Sequence, residues 1–224
     1  VLIKVDVGFR RCGIDPDNAG ALDLIRTISR LPGLRLRGLL SHAGHGYQAA
    51  SDSELSAIAR REAELLSGLR DRAAQAGIPI GEPSVGATPT LRHTASMARQ
   101  YGLTELRPGN YVYYDRTQVA LGAATIEDCA LTVLATVVSK PAADRIILDC
   151  GSKTLSSDLA RGFAPAPGYG AVLTSDGSAI DEHLTIERLS EEHATVRVTG
   201  VTPLERYRGW IEEQARKMGS VIGP

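Results

Sequence analysis

Residues 84–90, with the sequence Ser-Val-Gly-Ala-Thr-Pro-Thr, carry groups that can bind a phosphate. An apolar strand is predicted to end here and a helix to begin, with Thr88 as its N-cap and Pro89 as its first helical residue. Gly86 would let the backbone approach a ligand closely, because glycine has no side chain. Free N–H groups in the first turn of a helix attract anions. The stretch therefore predicts a phosphate cradle, and an ordinary strand-to-helix turn is the alternative.

Three further polar clusters follow predicted strands, namely Arg11, residues 42–47 (His-Ala-Gly-His-Gly-Tyr) and residues 107–110 (Arg-Pro-Gly-Asn). Parallel α/β folds bind ligands at the C-terminal ends of their strands. Four successive polar or glycine-rich strand ends therefore predict one shared site. Arg11 could instead be ordinary surface charge beside Arg10. His42 and His45 could hold a metal, but no third ligand accompanies them, so we predict no metal at this pair.

Alternating strands and helices must position these clusters. Predicted strands cover residues 1–7, 34–41, 81–86 and 104–107, and predicted helices begin near residue 15 and cover 51–76 and 89–101. Such alternation with short connections indicates a parallel sheet with right-handed crossovers. A doubly wound sheet and a segment of a (β/α)8 barrel both fit the pattern. Neither common nucleotide-binding glycine motif is present, which disfavours a nucleotide-binding fold.

The pattern changes after about residue 118. Strand-like runs cover 131–138, 145–148, 170–173, 183–189 and 194–198, separated by Gly, Pro, Asp and Ser. These runs predict a mainly antiparallel β domain. Residues 203–218 are predicted to form a charged C-terminal helix. We therefore expect an α/β domain over residues 1–118 and a β domain with a C-terminal helix over residues 119–224.

The composition excludes some partners. The chain has 224 residues, a net charge of −1 and 43% hydrophobic residues, as in an ordinary globular protein. The absence of a basic excess argues against nucleic acid as a partner, and no apolar run is long enough to predict a membrane span. Cys12, Cys129 and Cys150 are widely spaced and odd in number. This pattern predicts reduced thiols and a cytoplasmic location.

Six segments, taken in order, resemble the D-threonine aldolase and D-serine dehydratase group of the alanine racemase-like, fold type III pyridoxal phosphate (PLP) enzymes. They are residues 5–13, 42–47, 84–90, 105–111, 149–153 and 189–193. The resemblance implies the C-terminal half of a (β/α)8 (TIM-type) PLP barrel, followed by a mainly antiparallel β domain. It also implies a PLP-dependent lyase whose partner is a small-molecule D-amino acid.

Within this group we expect an aldolase, because residues 149–158 and 189–193 are similar to bacterial aldolase-like members. Such an enzyme cleaves a β-hydroxy D-amino acid to glycine and an aldehyde. One alternative is a D-serine dehydratase-like ammonia-lyase, and another is a truncated, non-catalytic protein that binds PLP or phosphate. A phosphate-sugar enzyme on a different parallel α/β fold is a weaker alternative.

The resemblance assigns the phosphate of PLP to two turns. Gly86 and Thr88, together with Gly109 and Asn110, would hold it through backbone N–H groups and one hydroxyl. This assignment agrees with the cradle predicted from residues 84–90.

The resemblance places four other side chains around the cofactor ring. His42 would pack on the ring face, and Arg11 would lie near the ring or its phenolic oxygen. Arg107 would face the pyridine nitrogen. Tyr47 would line the substrate side.

Two features of the resembled family are missing from this chain. The four lysines, Lys4, Lys140, Lys153 and Lys217, do not match the family's Schiff-base lysine motif. Because this amine supplies the nucleophile, we expect the chain as given to be inactive. A divalent metal is expected for the family, but its ligands are not found here. Only four βα-like units are visible, and a homodimer is one arrangement that would cover the open edge of such a half barrel.

Overall fold

The computed structural model describes residues 1–174, 177 and 179–200. The chain divides into two compact units. The first contains Val1–Thr132 and Ala160–Ala166, and the second contains Val133–Leu159 and the described residues from Pro167 onward. The boundary expected at residue 118 therefore lies inside the first unit. The helix expected at 203–218 lies outside the described residues.

The first unit is built on a four-stranded parallel sheet. Its strands are β1 (Leu2–Lys4), β2 (Gly38–Leu40), β3 (Glu82–Val85) and β4 (Glu105–Leu106), and its helices are α1 (Ala21–Arg30), α2 (Asp52–Gln75), α3 (Leu91–Tyr101) and α4 (Arg116–Ala120). The strands lie side by side in the order β1-β2-β3-β4. A doubly wound sheet reverses its order at a switch point, so this sequential order agrees with the segment of a barrel.

The two faces of this sheet differ because successive side chains of a strand point to opposite sides. Ile3 and Leu39 are register partners and are buried in one core with Ile25 of α1 and Leu69 of α2. The opposite face carries a second row of register partners: Lys4, Leu40, Ser84 and Glu105. Helices therefore cover the apolar face, and the polar row lies on the other face.

Helix α2 begins at a side-chain cap. Ser51 Oγ accepts a hydrogen bond from the Glu54 N–H at 3.2 Å, as an N-cap does. The carboxylate of Glu54 accepts from the N–H of Ala50 at 2.8 Å rather than from that of the cap residue. The helix start is therefore fixed from both sides.

The outer edge of β1 is occupied by a short return of the chain. Ile14 donates its N–H to the carbonyl of Lys4 at 2.9 Å and accepts from the N–H of Asp6 at 2.8 Å. Gly13 makes this return possible, because its φ is +117° and an added Cβ would lie 2.7 Å from the Asp6 nitrogen. Ile14 thus occupies the carbonyl of Lys4 and the N–H of Asp6 at the outer edge of β1.

The second unit is an antiparallel sheet with the order β5-β6-β9-β8-β7. Its strands are β5 (Val137–Ala142), β6 (Arg145–Leu148), β7 (Ala171–Leu173), β8 (Ile180–Leu189) and β9 (Ala194–Val198). Ile146, Ile186 and Val196 lie in its core. The predicted antiparallel character is confirmed. In neither unit does a described helix have the length and apolar content needed to cross a membrane.

Candidate functional site

The turn after β3 differs from its prediction at the start of α3, whose first helical residue is Leu91 and not Pro89. The N-cap of α3 is Thr90 and not Thr88, and Thr90 makes no side-chain cap hydrogen bond. Thr88 is buried, and its Oγ1 accepts from the backbone N–H of Asn110 at 3.1 Å. The Thr88 hydroxyl therefore connects the turn after β3 with the turn after β4.

Gly86 is needed for packing between strand ends. A Cβ at this position would lie 2.5 Å from the carbonyl oxygen of Arg107 and 2.7 Å from its carbonyl carbon. From the sequence we expected glycine at position 86 because a ligand would approach the backbone there. In the structure, the group that approaches it closely is the backbone of Arg107. Gly109 is different, because an added Cβ there would meet no atom within 4 Å.

The groups around these two turns fit a phosphate. Within the described residues, no hydrogen bond uses the backbone N–H of Ala87, Thr88 or Gly109. Because the Thr88 oxygen already accepts from Asn110, the hydroxyl hydrogen of Thr88 can donate to a ligand. The N–H of Asn110 is taken by Thr88, so the predicted phosphate contact through that N–H is not available in this arrangement. The remaining donors are of the kind that binds anions, and their contact with a phosphate stays a prediction.

Arg107 is held in a fixed orientation by the strand ends. Its Nε donates to Ser84 Oγ at 2.6 Å, and its Nη2 donates to the carbonyl of Ser41. The carboxylate of Glu105 lies 3.7 Å from the same Nε. Burial and the nearby charge of Arg107 lower the pKa of Lys4. A fixed positive charge therefore lies beside the polar row of the sheet.

His42 connects the ends of β2 and β3. Its Nδ1 lies 2.6 Å from the carbonyl oxygen of Gly86, which can only accept. This contact assigns the ring hydrogen to Nδ1 and leaves Nε2 as an acceptor. Burial lowers the pKa of His42, which favours this neutral form.

Arg11 is linked to His42 through an aromatic ring. The guanidinium carbon of Arg11 lies 5.0 Å from the centre of the Phe9 ring. Phe9 in turn meets His42 edge-on, with ring centroids 5.9 Å apart. Arg11 itself is exposed. It is therefore attached to the edge of the cluster, and its predicted contact with the cofactor stays a prediction.

Glu62 was missed by the sequence reasoning. It is only 1% exposed, and its Oε1 accepts from Ser41 Oγ at 2.7 Å. Burial raises the pKa of this carboxyl. A signal was present in the sequence, because Glu62 lies three and four residues from Ala59 and Leu66 on the buried side of α2. A charged residue on an apolar helix face indicates a specific partner.

Tyr47 is connected to the cluster through Gln118. The hydroxyl oxygen of Tyr47 accepts from Nε2 of Gln118 at 3.2 Å. Gln118 is fully buried and was also missed. Burial raises the pKa of the Tyr47 phenol, and the hydrogen bond from Gln118 acts in the opposite direction.

The structure thus brings most of the predicted site residues together at one end of the parallel sheet. Direct contacts join His42 to Gly86, Gly86 to Arg107, and Thr88 to Asn110. Among the described residues, no group of three or more His, Cys, Asp or Glu side chains could hold a metal. The roles of these residues toward a ligand stay predictions.

Comparisons with known proteins give the family. Residues 1–117 match the model of the alanine racemase N-terminal domain, and residues 130–222 match a model described as "Putative serine dehydratase domain". The chain is 30% identical over 214 residues to D-serine dehydratase of Dictyostelium discoideum, covering 92% of this chain and 53% of that protein. It is 31% identical over 201 residues to D-threonine aldolase of Arthrobacter sp., covering 88% and 48%.

A solved structure shows the same fold over most of the chain. The D-threo-3-hydroxyaspartate dehydratase of Delftia sp. HT23 superposes with a TM-score of 0.80 and 32% identity, covering 92% of this chain and 55% of that chain. The chain spans about half the length of the curated relatives it matches. It belongs to the alanine racemase-like family of fold type III pyridoxal phosphate proteins, in the group that contains D-serine dehydratase, D-threo-3-hydroxyaspartate dehydratase and D-threonine aldolase.

Proposed function

We propose that this chain supplies the phosphate-binding part of a PLP-dependent lyase acting on a β-hydroxy D-amino acid. The observation that carries the proposal is the donor set around Thr88. Backbone N–H groups without a hydrogen bond among the described residues lie in the turns after β3 and β4, and the Thr88 hydroxyl joins these two turns. Such a set recognises a phosphate group.

The residues of the cluster have distinct tasks in this proposal. Bound PLP would withdraw electrons from the carbon that carries the substrate's amino group. Thr88 and the N–H groups of Ala87 and Gly109 would hold the phosphate. His42, oriented by Gly86, would pack on the ring, and Arg107 would supply positive charge beside it.

We place a dehydratase first among the two reactions of the group. A dehydratase removes the α-hydrogen and β-hydroxyl of its substrate and yields a 2-oxo acid and ammonia. The serine dehydratase model matches most of the second part of the chain, and the similar proteins include the D-serine dehydratases of three organisms and one D-threo-3-hydroxyaspartate dehydratase. The aldolase expected from the sequence is the second candidate, supported by the similarity to D-threonine aldolase.

The proposal concerns the binding of PLP and not the conversion of substrate by this chain. None of the four lysines matches the Schiff-base motif of the family, and Lys153 is an exposed partner of Glu191 and Glu192 in the second unit. We therefore expect the 224-residue chain to bind PLP without turning over substrate.

Equilibrium dialysis with PLP tests the cradle. Thr88→Val removes a hydrogen bond to a charged group, and we expect PLP binding to weaken by roughly 10- to 150-fold. Binding of pyridoxal, which lacks the phosphate, should not change. Thr27→Val is the matched control, since Thr27 is exposed on α1. Equal affinity of the Thr88 variant and the wild type for PLP would refute the cradle.

A substrate panel tests the reaction class. The PLP-loaded chain is incubated with D-serine, D-threo-3-hydroxyaspartate and D-threonine, and the products are identified. A 2-oxo acid with ammonia supports the dehydratase and overturns the expected inactivity. Glycine with an aldehyde supports the aldolase. Retained PLP without product supports binding without turnover.

A further inference from the structure

We infer that Gln118 is a positioning residue that holds the Tyr47 hydroxyl as a hydrogen-bond donor to an oxyanion of the bound ligand. This inference rests on the proposed function and names a further residue of the same site. It concerns Gln118, which neither the family resemblance nor the sequence pattern assigned to the site, and the direction in which the Tyr47 hydroxyl donates.

The first observation is the contact between the two side chains. Nε2 of Gln118 donates to the Tyr47 hydroxyl oxygen at 3.2 Å. A phenol whose oxygen already accepts from one neighbour keeps its own hydrogen for another acceptor. Within the described residues no acceptor for that hydrogen is recorded, so the hydroxyl is available to a ligand.

The second observation is the rigidity of both partners. Gln118 is 0% exposed, and its Oε1 is buried without a hydrogen-bond partner among the described residues. The ring of Tyr47 packs against the buried cluster of Ala49, Leu55 and Leu121. Neither side chain can turn freely, so the direction of the phenol hydroxyl is set by the fold.

The third observation is a chain of hydrogen bonds from Gln118 to the phosphate turns. Asp115 Oδ1 accepts from the backbone N–H of Gln118 at 3.0 Å, and its Oδ2 accepts from Asn110 Nδ2 at 2.6 Å. The N–H of Asn110 then reaches Thr88. Tyr47, in the turn after β2, is thereby joined to the turns after β3 and β4.

The chemistry of this donor selects the ligand group. A phenol that donates in a partly buried site is suited to a negatively charged oxygen. Two sources can supply it, the phosphate of PLP and the carboxylate of the amino acid. The connection of Gln118 to Thr88 favours the phosphate, and the experiment separates the two.

A double-mutant cycle tests the inference. Gln118→Leu, Tyr47→Phe and the double variant are compared for PLP, for pyridoxal, and for D-serine added to the PLP-loaded protein. We expect Tyr47→Phe, which removes a hydrogen bond to a charged group, to weaken PLP binding by roughly 10- to 150-fold, and Gln118→Leu, which removes a neutral hydrogen bond, to weaken it by roughly 2- to 12-fold. The double variant should bind PLP no more weakly than Tyr47→Phe alone. Gln100→Leu is the matched control, since Gln100 is exposed on α3.

The pattern of losses identifies the oxyanion. A coupled loss for PLP but not for pyridoxal assigns the phosphate. A coupled loss confined to D-serine assigns the carboxylate and keeps the role of Gln118. Independent, multiplying losses, or no loss in either single variant, would overturn the inference.

A titration of the Tyr47 phenol measures its pKa, which would not change if Gln118 only supported the fold. The Tyr47 signal is the difference in phenolate absorbance between a protein and its Tyr47→Phe counterpart. Donation by Gln118 stabilises the phenolate, so Gln118→Leu should raise the pKa of Tyr47. A lowered pKa would show that Gln118 accepts from Tyr47 instead, and would overturn the assignment.

Two further measurements keep the test decisive. If Gln118→Leu does not fold, Gln118→Met, which keeps the length of the side chain, is used instead of Gln118→Leu in all of these measurements. If the wild-type chain binds no PLP, the proposed function fails, and the phenol titration still decides whether Gln118 directs Tyr47.

Discussion

Replacing Gly86 by alanine should displace the end of β4. The added Cβ would lie 2.5 Å from the carbonyl oxygen of Arg107, 2.7 Å from its carbonyl carbon and 2.8 Å from its Cβ. Two of these are backbone atoms, so no flexible side chain can move aside. Overpacking of this kind costs about 1–3 kcal/mol.

Gly109→Ala provides the matched control for this cost. Gly109 has φ −104° and ψ −54°, which alanine adopts readily, and a Cβ there meets nothing within 4 Å. Both variants reduce the conformational freedom of the unfolded chain equally, a gain of about 0.4–1 kcal/mol. This gain cancels in the comparison. The difference in the free energy of unfolding between the two variants should therefore equal the overpacking cost, about 1–3 kcal/mol.

Urea unfolding followed by far-UV circular dichroism measures this difference. We expect Gly109→Ala to be slightly more stable than the wild type and Gly86→Ala to be less stable than Gly109→Ala. Since Gly86 lies against Arg107, a displaced β4 should also weaken PLP binding. The reasoning is refuted if the Gly86 variant unfolds at the same urea concentration as the Gly109 variant.

Two further predictions concern α2. Ser51→Ala removes the acceptor of the Glu54 N–H and should lower the free energy of unfolding by about 1 kcal/mol. Ser53→Ala, two residues later, is the control and should lower it by less. Equal losses of the two variants in urea unfolding would contradict this prediction. Burial raises the pKa of Glu62 in the folded chain. As the pH rises, the Glu62 carboxyl therefore loses its proton in the unfolded chain before it does so in the folded chain, and the free energy of unfolding of the wild type decreases. Glu62→Gln lacks this loss, and its stability relative to the wild type should increase from about pH 4 to about pH 7, which urea unfolding at both pH values measures. A relative stability independent of pH would show that Glu62 ionises normally.

The positions of the strands in the parallel sheet could be predicted because their signal is local. Leu2–Lys4 lies within a run of β-branched and apolar residues, and Glu82–Val85 is bounded by Gly81 and Gly86. The structure confirms their parallel pairing, and also the antiparallel pairing in the second unit. In the parallel sheet the predicted strands were longer than the observed ones. The difference lies at the strand ends, where Val5 still donates its N–H to Leu40 at 2.8 Å and Ser41 donates to Ser84 at 2.9 Å, so the pairing continues beyond the bounds of the strands.

The contacts of the candidate site could not be predicted in the same way, because they join residues distant in the sequence. Gly86 and Arg107 are 21 positions apart, and only the approach of β3 and β4 shows why glycine stands there. Thr88 has the residue type of an N-cap, but its hydroxyl bonds to Asn110 on the next turn. Tertiary contacts replaced local preferences at both positions.

Gln118 is an intermediate case. Asp115 followed three residues later by Gln118 is a helix-start pattern, and Asp115 does cap α4. We did not predict this helix, although the pattern was present, and the burial of Gln118 against Tyr47 depends on a residue 71 positions away. Residues 160–166 are similar, since they belong to the first unit although their sequence indicates only a loop.

The return of the chain at Ile14 gives the parallel sheet a preferred direction of extension. A strand joining β1 at Lys4 and Asp6 would have to break both hydrogen bonds of Ile14, at a net cost of about 0.5–1.5 kcal/mol each. In the described part of the chain no strand pairs with the outer edge of β4, so a strand added there breaks no existing strand pairing. A fifth strand, whichever polypeptide supplies it, is thus recruited more readily beside β4, and a fusion intended to lengthen this sheet should present its strand on that side.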